Sequence, residues 1–254
     1  MKLFGKKKQV PTFTVGANQN TLHENLSFTA VEQYKLLRTN LKYVLSEDEK
    51  CPVIGVTSST RGEGKSTTST NLSYVLAQTG EKVLLIDGDL RLPTIAKKMG
   101  IKNSMGLTEL LMDKKIDLET LRSPLLDNWY ILLSGEIPPN PSELLGSRRM
   151  ETVLNKLKEY FDYIVIDLPP VNIVSDAVSI SRLISGMVVV IREEHTTKRE
   201  VESCIRQLEL ADVNILGCVT TCSKSAGGAY GRYKYKRYGN YKSYGQNDTK
   251  DQQS

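Results

Sequence analysis

Ser59-Thr60-Arg61-Gly62-Glu63-Gly64-Lys65-Ser66 follows the apolar run Val53-Ile54-Gly55-Val56 and leads into Thr67-Thr68-Ser69-Thr70-Asn71-Leu72. A strand, a glycine-bearing loop and a Lys-Ser pair opening a helix form the arrangement with which a chain cradles phosphate. Backbone N–H groups around Gly62 and Gly64 turn inward onto anionic oxygens. Lys65 brings a point charge to the outer phosphates, and Ser66 offers a hydroxyl to Mg²⁺. These eight residues, with Thr67, are the predicted phosphate-binding set. Ser59 stands where the full pattern has Gly, so a glycine-rich turn without a ligand competes as a reading of this segment alone.

Working outward, two more apolar runs end in acid. Leu84-Leu85-Ile86-Asp87-Gly88-Asp89-Leu90-Arg91 closes a strand with two carboxylates two residues apart. Tyr163-Ile164-Val165-Ile166-Asp167-Leu168-Pro169-Pro170 closes another with one. Singly, each reads as a strand followed by a turn. In an open parallel sheet, ligands bind at the carboxyl ends of the strands, so the three segments can meet at one site.

The rest of the chain supports such a sheet. Strands are predicted near 53–57, 82–87, 129–133, 162–167, 186–191 and 214–221. Helices are predicted near 64–79, 106–113, 147–159, 174–184 and 197–211, with Gly80 at the C′ position of the first. Strand–helix alternation predicts an α/β fold, a mostly parallel central sheet with helices on both faces. Met187-Val188-Val189-Val190-Ile191 reads as a strand buried on both sides. Ahead of the sheet, Val31, Tyr34, Leu37, Leu41 and Val44 recur at helical spacing over residues 28–45. Residues 134–145 form a proline-rich loop running into a helix, with no role that physics alone assigns.

A length of 254 residues suits one sizeable α/β domain, and 39% hydrophobic with 25% charged residues suits a soluble protein. No run approaches a membrane span, and the N-terminus lacks the apolar core of a signal peptide. Cys51, Cys204, Cys218 and Cys222 have no zinc-like spacing, which predicts buried, reduced thiols and a cytosolic setting. The net charge of +5 sits in the tails: residues 1–8 hold four Lys and residues 224–245 hold six Lys/Arg, both without acid. The predicted organisation is a flexible arm over 1–27, a domain over 28–224 and a tail over 225–254.

That tail carries Tyr230, Tyr233, Tyr235, Tyr238, Tyr241 and Tyr244, half of the twelve tyrosines, among Gly, Lys and Arg. Without aliphatic partners these rings do not build a core. They could stack on single-stranded nucleic acid, or serve as phosphoryl acceptors. The neighbouring phosphate loop favours acceptors.

Taken together, these residues resemble the bacterial tyrosine kinases of capsule and exopolysaccharide synthesis, in the free-standing form of Gram-positive bacteria. The resemblance runs from about Phe28 to the tail and rests on the loop at 59–66, Asp87-Gly88-Asp89-Leu90-Arg91, Asp167 and the tyrosine cluster. It implies a P-loop fold related to the MinD/ParA-like ATPases. Those carry an extra lysine early in the loop, where this chain has Thr60. It also implies a ring-assembly helix motif of Glu and two Arg, here Glu32, Lys35 and Arg38; Lys35 keeps the first charge without the bidentate fork.

The implied activity is ATP- and Mg²⁺-dependent phosphorylation of the tail tyrosines between chains. Lys65, Asp87 and Asp89 would be catalytic, and Ser66, Asp89 and Asp167 would hold the metal. The implied base is Asp87; the residues themselves do not separate its role from that of Asp89. The resemblance further implies a membrane-bound activator that recruits the chain to the inner face of the cell membrane, a cognate phosphotyrosine phosphatase, and a homo-oligomeric ring. No nucleic-acid partner is expected from it. Two other readings stay open on the residues alone: a switch ATPase whose tail is a tether, and a nucleic-acid-binding protein using its Tyr/Arg tail.

Overall fold

The computed structural model describes residues 26–101 and 105–222. The predicted arm up to residue 25, the tail and its six tyrosines lie outside the described residues. Six strands, β1 (Val53–Ser58), β2 (Val83–Asp87), β3 (Trp129–Leu132), β4 (Tyr163–Asp167), β5 (Gly186–Arg192) and β6 (Ile215–Thr221), form one sheet in the order β3-β2-β4-β1-β5-β6. Every pairing is parallel. Successive strand residues face opposite sides of the sheet, and the core divides accordingly. Leu84, Ile86, Ile164, Ile166, Met187 and Val189 belong to one hydrophobic layer. Leu85, Val165, Val188 and Val190 belong to the other.

The first layer is covered by α4 (Leu107–Leu111), α6 (Arg148–Leu157), α7 (Asp176–Ser179) and α8 (Lys198–Leu210), which send Leu110, Leu154, Ala177 and Leu208 into it. The second is covered by α1 (Phe28–Val44), α2 (Lys65–Ala77) and α3 (Ile95–Met99). Ser27 caps α1, its side chain accepting from the Ala30 N–H at 3.3 Å. Helix α2 is buried from Thr68 to Ala77 although it is rich in hydroxyls. Three of the hydroxyls are satisfied inside the helix: Ser69 and Thr70 donate to the Ser66 carbonyl, and Ser73 to that of Thr70. Ser73 also accepts from Trp129 Nε1 at 3.1 Å, joining α2 to β3.

Four expectations change. The helix predicted over 174–184 is broken into α7 and a 3-10 turn at Ser181–Leu183. Its serines compete with the backbone (Ser179 Oγ donates to the Ser175 carbonyl), and Asp176 turns its side chain to another segment. Helix α3 and the 3-10 turn Leu118–Leu121 were not predicted; both are shorter than the span over which periodicity is detectable. Gly80 takes the left-handed conformation, φ +94°, one residue further out than expected, because Gln78 caps α2. Cys51 and Cys204 are buried, but Cys218 and Cys222 are exposed on and just after β6. The proline-rich segment enters α5 (Pro141–Leu145), with Pro at the helix start, where its fixed φ fits.

Candidate active site

The loop after β1 is shaped from behind. The carbonyl of Thr60 accepts from Ser58 Oγ at 2.7 Å, and that of Arg61 faces His195 Nε2 at 3.3 Å. The Gly62 carbonyl accepts from Arg192 at 3.2 Å, and the Glu63 carbonyl from Thr221 Oγ1 at 2.7 Å. In a planar trans peptide the N–H points opposite the C=O, so holding these carbonyls outward turns the following amides inward. Gly62 and Gly64 have φ of +79° and +96°, which only glycine adopts without strain. A Cβ on Gly64 would also press on Thr221 Cγ2 at 3.3 Å. The Glu63 side chain faces away from the cradle; its buried carboxylate accepts from the Thr60 N–H at 3.0 Å and from the Thr196 hydroxyl. Ser59 is buried. Arg61 lies exposed at the mouth.

Lys65 and Ser66 open α2 directly beneath this loop. The ammonium of Lys65 lies 2.8 Å from Asp89 Oδ2 and 3.8 Å from Asp167 Oδ1. Burial opposes its charge, but Asp167 and Asp89 outweigh burial and raise its pKa. Asp167 and Asp87 are partners across the β4–β2 pairing, both fully buried. Gly88 permits this approach: a Cβ there would lie 2.8 Å from Ile166 Cγ2 and 2.9 Å from the Asp167 carbonyl. Burial and the charge of Asp167 push the Asp87 carboxyl up to about 8. Burial also raises Asp167, against the pull of the Lys65 charge.

Three of the four oxygens on Asp87 and Asp167 have no hydrogen-bond partner among the described residues. The fourth, Asp87 Oδ2, accepts from the Ile95 N–H at 3.2 Å. Buried orphan oxygens need a partner, and a divalent cation is one that would satisfy them. Mg²⁺ is usually held by one or two carboxylates together with phosphate oxygens and water, which the set of Ser66, Asp89 and Asp167 fits.

The loop, Lys65, Ser66 and Asp89 wall a cavity of ≈ 600 Å³. Asp87 and Asp167 sit one layer behind it. Leu92 and Ile173, 52% and 44% exposed, form an apolar edge on the same cavity. Arg91 also lines it and is fixed by a two-point contact to Asp176, at 2.9 and 3.0 Å. Asp176 additionally accepts from the Ser142 hydroxyl. The proline-rich segment thus acquires a role invisible in the sequence: it helps hold an arginine of the cavity wall. Ser58, Arg192, His195, Thr196, Thr221 and Asp176 all support the site and were missed. Most lie over 100 residues along the chain from the groups they hold, and no local pattern marks them.

The predicted assembly residues do not share one condition. Lys35 and Glu32 pair with each other at 2.8 Å and are partly exposed. Arg38 points inward and donates to the Val75 carbonyl at 2.7 Å, tying α1 to α2.

Comparison with known proteins places this geometry. A family described as AAA domain matches residues 51–215. The chain is 35% identical over 198 residues to the putative tyrosine-protein kinase CapB of Staphylococcus aureus, spanning 78% of this chain and 86% of that protein. It is 36% identical over 210 residues to the tyrosine-protein kinase YwqD of Bacillus subtilis, spanning 83% and 85%. The solved kinase domain of Escherichia coli tyrosine kinase ETK superposes with a TM-score of 0.71 at 34% identity, covering 79% of each chain.

Proposed function

The chain belongs to the bacterial tyrosine kinases of capsule and exopolysaccharide synthesis, and we propose how its own residues perform that activity. It is an ATP-dependent protein-tyrosine kinase that regulates this synthesis. The observation that carries the mechanistic reading is the meeting of Lys65, Ser66 and Asp89 on one cavity, with Asp167 at the end of β4 directly behind its wall, 3.8 Å from the Lys65 ammonium.

Phosphoryl transfer depends mainly on positioning and charge neutralisation. The inward amides and Lys65 hold the β- and γ-phosphates of ATP. Mg²⁺ held by Ser66 with Asp89 and Asp167 would neutralise charge on the transferring group. The acceptor phenol rests against the apolar edge of Leu92 and Ile173. Its oxygen forms the new bond to phosphorus as the bond to ADP breaks, and its proton passes to Asp87. A carboxylate whose pKa lies near the working pH is well matched to that task, and Asp87 Oδ1 has no hydrogen-bond partner among the described residues.

The acceptors are Tyr230, Tyr233, Tyr235, Tyr238, Tyr241 and Tyr244 of a neighbouring chain, with Glu32, Lys35 and Arg38 contributing to assembly. Unmodified, residues 224–245 carry six positive charges and no acid. Each phosphotyrosine adds about −1.5 to −2. Three or four modifications therefore cancel the tail's charge, and more reverse it, which repels the tail from the acid-rich site and limits assembly. A membrane-bound activator recruits the chain to the inner face of the cell membrane, and a phosphotyrosine phosphatase resets the tail. Among the described residues no helix is long and apolar enough to cross a membrane.

The test is mass spectrometry of the tail after incubating the full chain with Mg-ATP and the cytosolic end of its membrane activator. Phosphotyrosine on the cluster, absent in K65M, is the expected result. ADP release without phosphotyrosine would identify a switch ATPase instead.

A further inference from the structure

Lys98 lies on α3, at the same cavity as the phosphate loop. Its Nζ donates to Thr67 Oγ1, in the first turn of α2, at 2.9 Å. Lys65 is the first residue of that helix, and Asp89 and Asp167 already offset its charge. Lys98 reaches the same helix terminus from α3, and its hydrogen-bond partner there is the Thr67 hydroxyl. Among the described residues its ammonium pairs with no carboxylate at contact distance; Asp167 acts on it through space, and Lys65 repels it. Withdrawing a cation from water beside a like charge is costly unless an anion completes the site. Burial accordingly lowers its pKa from the ordinary lysine value.

We propose that Lys98 is a second phosphate-binding cation, which grips the nucleotide at the inner, α-phosphate end of the cradle beside Thr67. The inner end follows from position: the carboxylates that mark the transfer centre lie with Lys65, and Thr67 is a further step into α2. This inference rests on the nucleotide-binding reading above. It adds a residue from α3, outside the loop, that sets affinity for the diphosphate and triphosphate alike.

The experiment is equilibrium binding of ATP and of ADP to the full chain by titration calorimetry, comparing the parent with K98Q, K98R and K98E in low and high salt. Loss of one charge-assisted hydrogen bond should weaken both nucleotides about tenfold in K98Q. K98E should lose more, and K98R should stay within about threefold. The K98Q deficit should shrink as salt rises. Binding of both nucleotides by K98Q within about twofold of the parent would overturn the proposal. So would equal, salt-independent losses in K98Q and K98R, which would make Lys98 only a tie between α3 and Thr67. If the parent itself bound neither nucleotide, the nucleotide-binding reading would fall first, an outcome visible before any variant is compared.

Discussion

The ammonium of Lys65 rests 2.8 Å from Oδ2 of Asp89, so a phosphate in the cradle has to draw the lysine off a carboxylate. Both side chains are largely buried, at 11% and 7% exposure, and the contact is therefore not a screened surface pair. The same lysine neutralises the buried acids of the site and would bind the phosphate.

K65M should abolish tail phosphorylation, and it should also lower stability, by about 3 kcal/mol, because it strands Asp89 and Asp167 without their cation. Urea melts of the parent, K65M and K65M/D89N check this, with the double variant recovering part of the loss. A K65M midpoint equal to that of the parent would mean that the ion pair contributes nothing to the fold.

Asp87 predicts a pH signature. Its carboxyl is pushed up to about 8, whereas an unfolded Asp titrates near 3.9. A raised native pKa contributes stability that is fully present below about pH 4 and is lost as pH rises through about 8. D87N cannot ionise, so in EDTA its melting temperature should exceed the parent's by a margin that widens from pH 5 to 8 and then levels. Its phosphoryl transfer should fall by about 100-fold or more, with nucleotide binding largely kept. A margin independent of pH would show that no proton is held on Asp87 at neutrality.

The Arg91–Asp176 contact should govern the proline-rich segment. D176A removes a fully buried carboxylate that accepts from both Arg91 and Ser142, and should cost about 2–3 kcal/mol. R91K keeps the charge but loses the fork and should fall between D176A and the parent. Limited proteolysis after residue 134 reads the effect locally; unchanged cleavage in D176A would refute the tie.

Arg38 should separate from Glu32 and Lys35. R38A frees the Val75 carbonyl and should lower stability by about 1 kcal/mol. E32A/K35A breaks only a partly exposed pair and should leave stability within about 0.5 kcal/mol. If these residues drive assembly, light scattering should show loss of oligomer in E32A/K35A without unfolding. Unchanged mass there would remove the pair from any assembly role.

Much of this architecture was legible locally. Strands such as Val83–Asp87 and Tyr163–Asp167 are apolar runs buried on both faces, and their ends were marked by acids and turn residues, so their positions followed from composition over a few residues. The phosphate loop was legible for the same reason: Gly62, Gly64, Lys65 and Ser66 act through the backbone of one short segment. Where side chains choose between local and distant partners, local reading failed. Asp176 pairs with Arg91 and leaves a short helix, and α3 is too brief to show a period.

Tertiary structure decided the chemistry of the carboxylates. Inserting β4 between β2 and β1 makes Asp87 and Asp167 register partners; burial raises both carboxyls, and the charge of Asp167 raises Asp87 further. Nothing near either residue announces that, because strand order is set by how whole layers pack. The loop's carbonyls are likewise held by Arg192, His195 and Thr221, and Lys98 reaches Thr67, through contacts between segments that only the completed sheet brings together. Short-range patterning sets which groups a segment can offer; long-range packing sets their partners, and with them their charge and reactivity.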